Sequence, residues 1–116
     1  MSQHDDQVYL KHMLDHAREA VDILAGKSQD DLARDRILEL ALTRLIEIIG
    51  EAATNVSSEI KSSNSHIPWP EIVGMRNRLI HGYDTVDLKV LWDTISEDLP
   101  PLISDLKKII KGSSPD

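Results

Sequence analysis

Arg76, Asn77, Arg78, His81 and Tyr83 share one eight-residue stretch, Arg76-Asn77-Arg78-Leu79-Ile80-His81-Gly82-Tyr83. Histidine is the side chain suited to moving protons near neutral pH. Arginine is a fixed, forked donor that matches phosphate oxygens. Together they are the minimum equipment for metal-independent chemistry at a phosphodiester. In that chemistry His81 removes or donates a proton at a ribose 2′-hydroxyl or leaving oxygen, and Arg76 neutralises charge building on the phosphoryl oxygens. Asn77 orients His81 or a phosphate oxygen, and Arg78 holds the neighbouring backbone. A bland alternative stays open: a polar helix end where Arg76 and Arg78 pair with Glu or Asp and His81 caps carbonyls.

Position matters as much as type. Arg76 and His81 are five residues apart, about 140° around an ideal helix. They do not lie on one stripe, so a site needs the helix end at Gly82 or a second chain. His81 in a last helical turn would feel the negative end of the helix dipole, which favours its protonated form. Arg76 and Tyr83 would share a face if the helix ran that far.

The elements that must carry these residues read as four helices. The first runs from about Asp6 to Ala25, with Leu10, Leu14, Ala17, Val21 and Leu24 as its apolar stripe and Gly26 as a left-handed stop. The second begins near Asp30 or Asp31 and continues to about Ser57, roughly 40 Å of helix. Its wide apolar face (Leu38, Ala41, Leu42, Leu45, Ile48, Ile49, Ala52, Val56) suits more than one neighbour. The Ser/Asn-rich stretch 57–65 reads as a loop. His66-Ile67-Pro68-Trp69-Pro70 restarts order, and a short third helix is expected from Trp69 to Ile80, ended by Gly82 and the Tyr83-Asp84-Thr85-Val86 turn. Asp87 is a natural N-cap for the fourth helix, whose stripe Leu88, Leu91, Trp92, Ile95, Leu99, Leu102, Leu106 and Ile109 continues across Pro100-Pro101. The two prolines imply a kink or a restart there. The whole is an all-α bundle in a single domain spanning 1–116, with a frayed tail from 112 to 116.

Composition limits the chemistry further. The absence of Phe, with only two Trp and two Tyr, leaves an aliphatic core that favours helix over sheet. No cysteine is present, which excludes disulfides, thiolate metal sites and a cysteine nucleophile. No run is long and apolar enough to span a membrane, and the first residues lack a signal peptide's pattern, so a cytoplasmic address is expected. A net charge of -7 repels nucleic acid at long range, so any contact with it must be made by a few aimed cations.

Other residues carry weaker signals. Glu47 and Glu51 are one turn apart and suited to pairing with Arg76 or Arg78, or to a solvated face. His12 and His16 have the spacing of helical metal ligands, with Asp15 between them, but no further ligand at matching spacing, so no metal or cofactor is expected. Trp69 and Trp92 read as core or interface anchors.

The segment Ile67 to Tyr83 resembles the signature of HepT-like proteins, the small HEPN-domain toxins of toxin–antitoxin pairs of the MNT–HEPN type. The resemblance extends to Ile48-Ile49-Gly50-Glu51-Ala52-Ala53, to Val90-Leu91-Trp92 and to Glu97-Asp98-Leu99-Pro100-Pro101-Leu102, and so covers essentially the whole chain. It implies a HEPN-type antiparallel helical bundle and a metal-independent endoribonuclease using Arg76 and His81, with transfer or messenger RNA as substrate. The expected reaction is attack by the 2′-hydroxyl on the adjacent phosphate, leaving a cyclic phosphate and a 5′-hydroxyl. The resemblance further implies a homodimer whose two motifs face each other across one cleft, with room for higher assembly. Its partner would be an MNT-type nucleotidyltransferase antitoxin that transfers AMP to Tyr83. Asn77, Arg78 and Glu51 are the supporting residues. A competing class is a non-catalytic helical module that engages the nucleotidyltransferase and binds nucleotide or phosphate through the same cluster. A third is a structural bundle with no ligand.

Overall fold

The computed structural model describes residues 3–83 and 85–113. Residues 114–116 of the expected tail, and Asp84 of the expected turn, lie outside them. Helix α1 spans Gln3–Leu24 and buries Leu10, Met13, Leu14, Ala17, Ala20 and Leu24. Gly26 ends it with φ +77, the left-handed conformation that suits a residue without a Cβ.

The expected long second helix is two helices. Helix α2 (Gln29–Arg34) opens on a capping box in which Ser28 and Asp31 satisfy each other's backbone N–H. Asp35 then leaves helical geometry, and its carboxylate accepts from the Leu38 N–H to start helix α3 (Arg36–Asn55). A short polar side chain that competes for backbone donors caps a helix better than it continues one. The same chemistry corrects the reading of 57–65 as loop. The Ser57 hydroxyl accepts from the Ile60 N–H and starts helix α4 (Ser58–Ser63). Asp6, only 3% exposed, anchors that corner by accepting from the Ser57 N–H at 2.8 Å and its hydroxyl at 2.7 Å.

Helix α3 is the spine. It packs on α1 along one side of its surface and carries helices α5 (Trp69–Val73) and α6 (Met75–Leu79) on another. Gly50 makes the second contact possible. A Cβ there would sit 3.3 Å from both the Ile72 and the Val73 carbonyl oxygens, so the last turn of α5 lies directly on the α3 backbone. Trp69 is buried beside it, and its indole N–H donates to the Asn64 carbonyl at 3.1 Å.

The expected third helix, Trp69 to Ile80, is interrupted at Gly74 and stops at Leu79. Ile80 is extended (φ -94, ψ 124) and begins strand β1 (Ile80–His81), which pairs antiparallel with β2 (Thr85–Val86) in the register Ile80 with Val86 and His81 with Thr85. Gly82 takes φ +68 at the turn. The Asp87 N–H donates to the Leu79 carbonyl at 2.7 Å, closing the hairpin onto the helix end.

Helix α7 (Leu88–Asp93) is capped by Asp87, as its sequence suggests. A π-helical turn (Thr94–Asp98) leads into α8 (Leu99–Ser113), which packs on α1. The irregularity therefore falls one turn before Pro100-Pro101. A proline cannot donate to the carbonyl four residues back and its ring crowds that oxygen. The wider π turn moves those carbonyls aside and lets the stripe run on through buried Leu99, Leu102 and Leu106. The result is an all-α bundle with one two-stranded ribbon, and no helix among the described residues is long and apolar enough to cross a membrane.

Gly50→Ala tests the α3–α5 contact. Alanine favours helix, but the atoms it meets are backbone carbonyls. The crowding cost of about 1–3 kcal/mol exceeds the propensity gain of about 1. A lowered urea midpoint is expected, and an unchanged or raised one would show that α5 yields.

Candidate functional site

Helix α6 delivers Arg76 to the surface over α3. Its Nε donates to Glu47 Oε2 at 2.7 Å, and the side chain remains 48% exposed. A guanidinium carries five N–H donors, and this contact uses the one on Nε. Glu47 thus fixes the plane of the side chain while leaving the two terminal nitrogens for an anion. Arg44, three residues before Glu47, lies 3.9 Å from Glu47 Oε1 and 3.7 Å from Glu51 Oε1. Two arginines and two glutamates therefore form a charge-balanced network on α3 and α6. Of the two glutamates suited to Arg76, the bundle chooses Glu47. Glu51 instead meets Arg44, a partner the sequence reading missed although its spacing from Glu47 and Glu51 was in view.

His81 is not in a last helical turn, so the helix dipole expected to act on it does not. The helix has already ended, because Ile80 turns extended to pair with Val86. What faces the imidazole is a carboxylate: His81 Nε2 lies 3.3 Å from Asp87 Oδ2. The other Asp87 oxygen accepts from the Val90 N–H at 3.1 Å, capping α7. Hydrogen bonding to the Val90 amide, and secondarily the bond and charge of His81, hold the Asp87 carboxyl below the usual carboxylate range. As a cap Asp87 was legible; as the partner of His81 it was missed. Only the hairpin register, which folds residue 87 back beside residue 81, brings them together.

The remaining motif residues are open to solvent. Tyr83 is 92% exposed at the hairpin tip, not on a shared helix face with Arg76. Asn77 is exposed and has no side-chain hydrogen bond among the described residues. Arg78 reaches the Glu71 carbonyl only at 3.5 Å. Half of the bland alternative is thus present, since Arg76 does pair with a glutamate. The other half is not: Arg78 meets a carbonyl and His81 meets a carboxylate.

A cavity of about 300 Å³ lies elsewhere, between α5–α6 and the start of α8. Glu71, Glu97, Asp98 and Asp105 rim it, and it includes neither Arg76 nor His81. Of the motif residues Arg78 lines it, whereas Arg76, Asn77, His81 and Tyr83 occupy open surface. His16 donates through Nδ1 to the His12 carbonyl at 2.6 Å, an internal helix contact. No group of three or more His, Asp or Glu among the described residues is placed to hold a metal ion.

Comparison with known proteins gives this arrangement a context. Residues 13–109 match the family described as "Ribonuclease HepT-like". A protein of Caldanaerobacter subterraneus subsp. tengcongensis, named as an RNase candidate, is 38% identical over 103 residues, which cover 89% of this chain and 92% of the relative. A protein of Thermococcus cleftensis, named as a probable ribonuclease HepT, is 36% identical and is matched over 87% of this chain and 96% of its own length. A protein of Methanocaldococcus jannaschii named as both a gamma-glutamylcyclotransferase and an RNase candidate is also 36% identical, but the match spans 48% of it. No solved structure matches the chain.

The depressed Asp87 pKa carries a sign for stability. Between its native pKa and the ordinary value of 3.8, the unfolded chain binds the proton and the native chain does not. Stability therefore rises with pH through that window and is fully present above it. Asp87→Ala is expected to unfold more easily than wild type at neutral pH, with the gap narrowing as pH falls below about 4. Denaturant titrations of both proteins across that range check it, and a gap independent of pH would contradict it.

Proposed function

We propose, from the premise that this chain belongs to the HepT-like ribonuclease family, that it is a homodimeric, metal-independent endoribonuclease toxin controlled by a nucleotidyltransferase. The observation that carries the reading is the pair of held but open groups: Arg76, bound through Nε by Glu47 and 48% exposed, and His81, facing Asp87 and 65% exposed. His81 takes the proton of a ribose 2′-hydroxyl as O2′ attacks the adjacent phosphorus. Arg76 donates to the non-bridging oxygens, where negative charge gathers. The bond from phosphorus to O5′ breaks, that oxygen takes a proton from an imidazolium, and the products are a 2′,3′-cyclic phosphate and a 5′-hydroxyl.

Two features favour a dimer. Arg76 and His81 lie on open surface, where water competes with every contact to substrate and a second chain would exclude it. Helix α3, which holds Arg76 through Glu47, also presents a stripe of exposed Ile37, Ala41, Arg44 and Glu51 with half-buried Ile48 among them, at alternating four- and three-residue steps. Ile37 is 80% exposed and Leu40 beside it 50%. Two such faces together would cover the apolar residues expected to touch more than one neighbour. The net charge of -7 makes RNA binding local, through Arg76 and Arg78, with Asn77 as an uncommitted donor and acceptor.

Tyr83 suits the control step. Its phenol stands clear of the fold two residues beyond His81. In the transfer the tyrosine oxygen attacks the α-phosphorus of ATP, the bond to the β-phosphate breaks, and pyrophosphate leaves. The new phosphodiester anion then competes with RNA for Arg76.

His81→Ala and Arg76→Ala are each expected to lower RNA cleavage by about 10²–10⁴-fold. Wild type should cleave equally well in EDTA and sediment as a dimer at micromolar concentration. Wild-type rates in both variants would end the enzyme reading, loss in EDTA the metal independence, and a stable monomer the shared cleft. Intact mass and peptide mapping after co-expression with an MNT-type nucleotidyltransferase should find added AMP on Tyr83. Unmodified protein from active co-expression would remove the transfer step.

A further inference from the structure

Asp87 occupies a junction fixed on three sides. Its backbone N–H is bound to the Leu79 carbonyl at 2.7 Å, its Oδ1 caps α7 through the Val90 N–H at 3.1 Å, and its Oδ2 lies 3.3 Å from His81 Nε2. The first two bonds leave the carboxylate little freedom to turn away. Lys89, the nearest cation in sequence, does not compete for it, because its ammonium is held by Asp93 at 2.7 Å. An N-capping carboxylate is ionised at neutral pH and can only accept hydrogen bonds. The imidazole nitrogen facing it must therefore carry a hydrogen. Neutral imidazole bears one N–H, so a hydrogen on Nε2 leaves the lone pair on Nδ1.

We infer that Asp87 is a positioning residue that holds His81 as the Nε2–H tautomer and makes Nδ1 the nitrogen that exchanges a proton with RNA. The inference rests on the proposed ribonuclease reading and adds to it which atom acts and what directs it. The forward step then balances simply. Nδ1 receives the 2′-hydroxyl proton as O2′ bonds to phosphorus, and the imidazolium so formed keeps its Nε2–H on Asp87, whose charge stabilises it. The separation of 3.3 Å is longer than the roughly 2.7–2.9 Å of a tight ionised pair. The gap leaves room for the pair to draw together when the imidazole gains charge on receiving the proton. The two motif side chains are then held in the same manner. Each is bound on its rear nitrogen by a carboxylate from outside the Arg76–His81 segment, Glu47 for Arg76 Nε and Asp87 for His81 Nε2.

The test uses the full chain with Asp87→Asn and Asp87→Ser, both good helix caps that lack the charge. Long-range proton–nitrogen spectra of histidine-labelled protein, at about pH 8 where imidazole is neutral, report the tautomer directly. His81→Gln identifies the signals. Wild type should show His81 wholly as Nε2–H, and both variants a mixture of tautomers. In RNA cleavage both variants should lose about 10- to 100-fold in kcat with KM near wild type, the scale of losing a group that orients a reacting one. Identical His81 spectra in wild type and variants, or an Nδ1–H tautomer in wild type, would overturn the inference, as would variants within twofold of the wild-type kcat. If His81→Ala cleaves RNA at the wild-type rate, the ribonuclease reading itself fails. If only His81→Ala is inactive and the Asp87 variants are normal, the role of Asp87 alone fails.

Discussion

Helix α3 can be approached closely at Gly50, and the arrangement of the rest of the surface descends from that contact. The Ile72 and Val73 carbonyls sit where a side chain would otherwise stand. With α5 pressed onto α3 there, the chain turns at Gly74 and α6 starts over the same spine, which brings Arg76 above Glu47. A larger residue at position 50 would lift α5, and a few tenths of an ångström at that point are passed on to a guanidinium two elements away. The packing is tight because its contact atoms are backbone, which has no rotamers with which to adjust.

Electrostatics follows the same economy. A chain with 20 acidic and 13 basic residues has no broad positive field to offer an anionic polymer. The cations at the motif are few and, in Arg76 and Arg44, already accompanied by glutamates. Ion pairs this exposed add little to stability. Their physical effect is orientational: a carboxylate behind the guanidinium reduces the freedom that binding would otherwise have to remove. Around the neighbouring cavity Glu71, Glu97, Asp98 and Asp105 outnumber Arg78, which also lines it, and keep that side of the bundle negative.

The breaks in the helices have local causes that recur. At Asp35, Ser57 and Asp87 a short polar side chain accepts from an amide three residues ahead and starts a new helix. At Gly74 and Gly82 a glycine marks the change of direction, and before Pro100-Pro101 the helix widens into a π turn. Periodicity cannot report such breaks when the apolar stripe is nearly in phase on both sides. It therefore joined α2 to α3 and carried the motif helix one residue too far. That single residue decides the environment of His81, since a helical Ile80 would leave the imidazole near a helix end whereas an extended one pairs with Val86 and delivers His81 to Asp87.

The sequence by itself determined the helical class, the aliphatic core, the cap at Asp87, the left-handed stop at Gly26 and the clustering of arginine, asparagine, histidine and tyrosine from Arg76 to Tyr83. These depend on residue type and near-neighbour spacing, which are local. The tertiary structure alone decided which carboxylate meets each motif side chain. Glu47 and Glu51 are equally plausible one turn apart, and the placement of α6 on α3 selects Glu47. Asp87 lies six residues beyond His81, and only the hairpin register turns that separation into a contact. A charge pair is set by distances of a few ångströms, and those are fixed where separate elements pack, after the local rules have been exhausted.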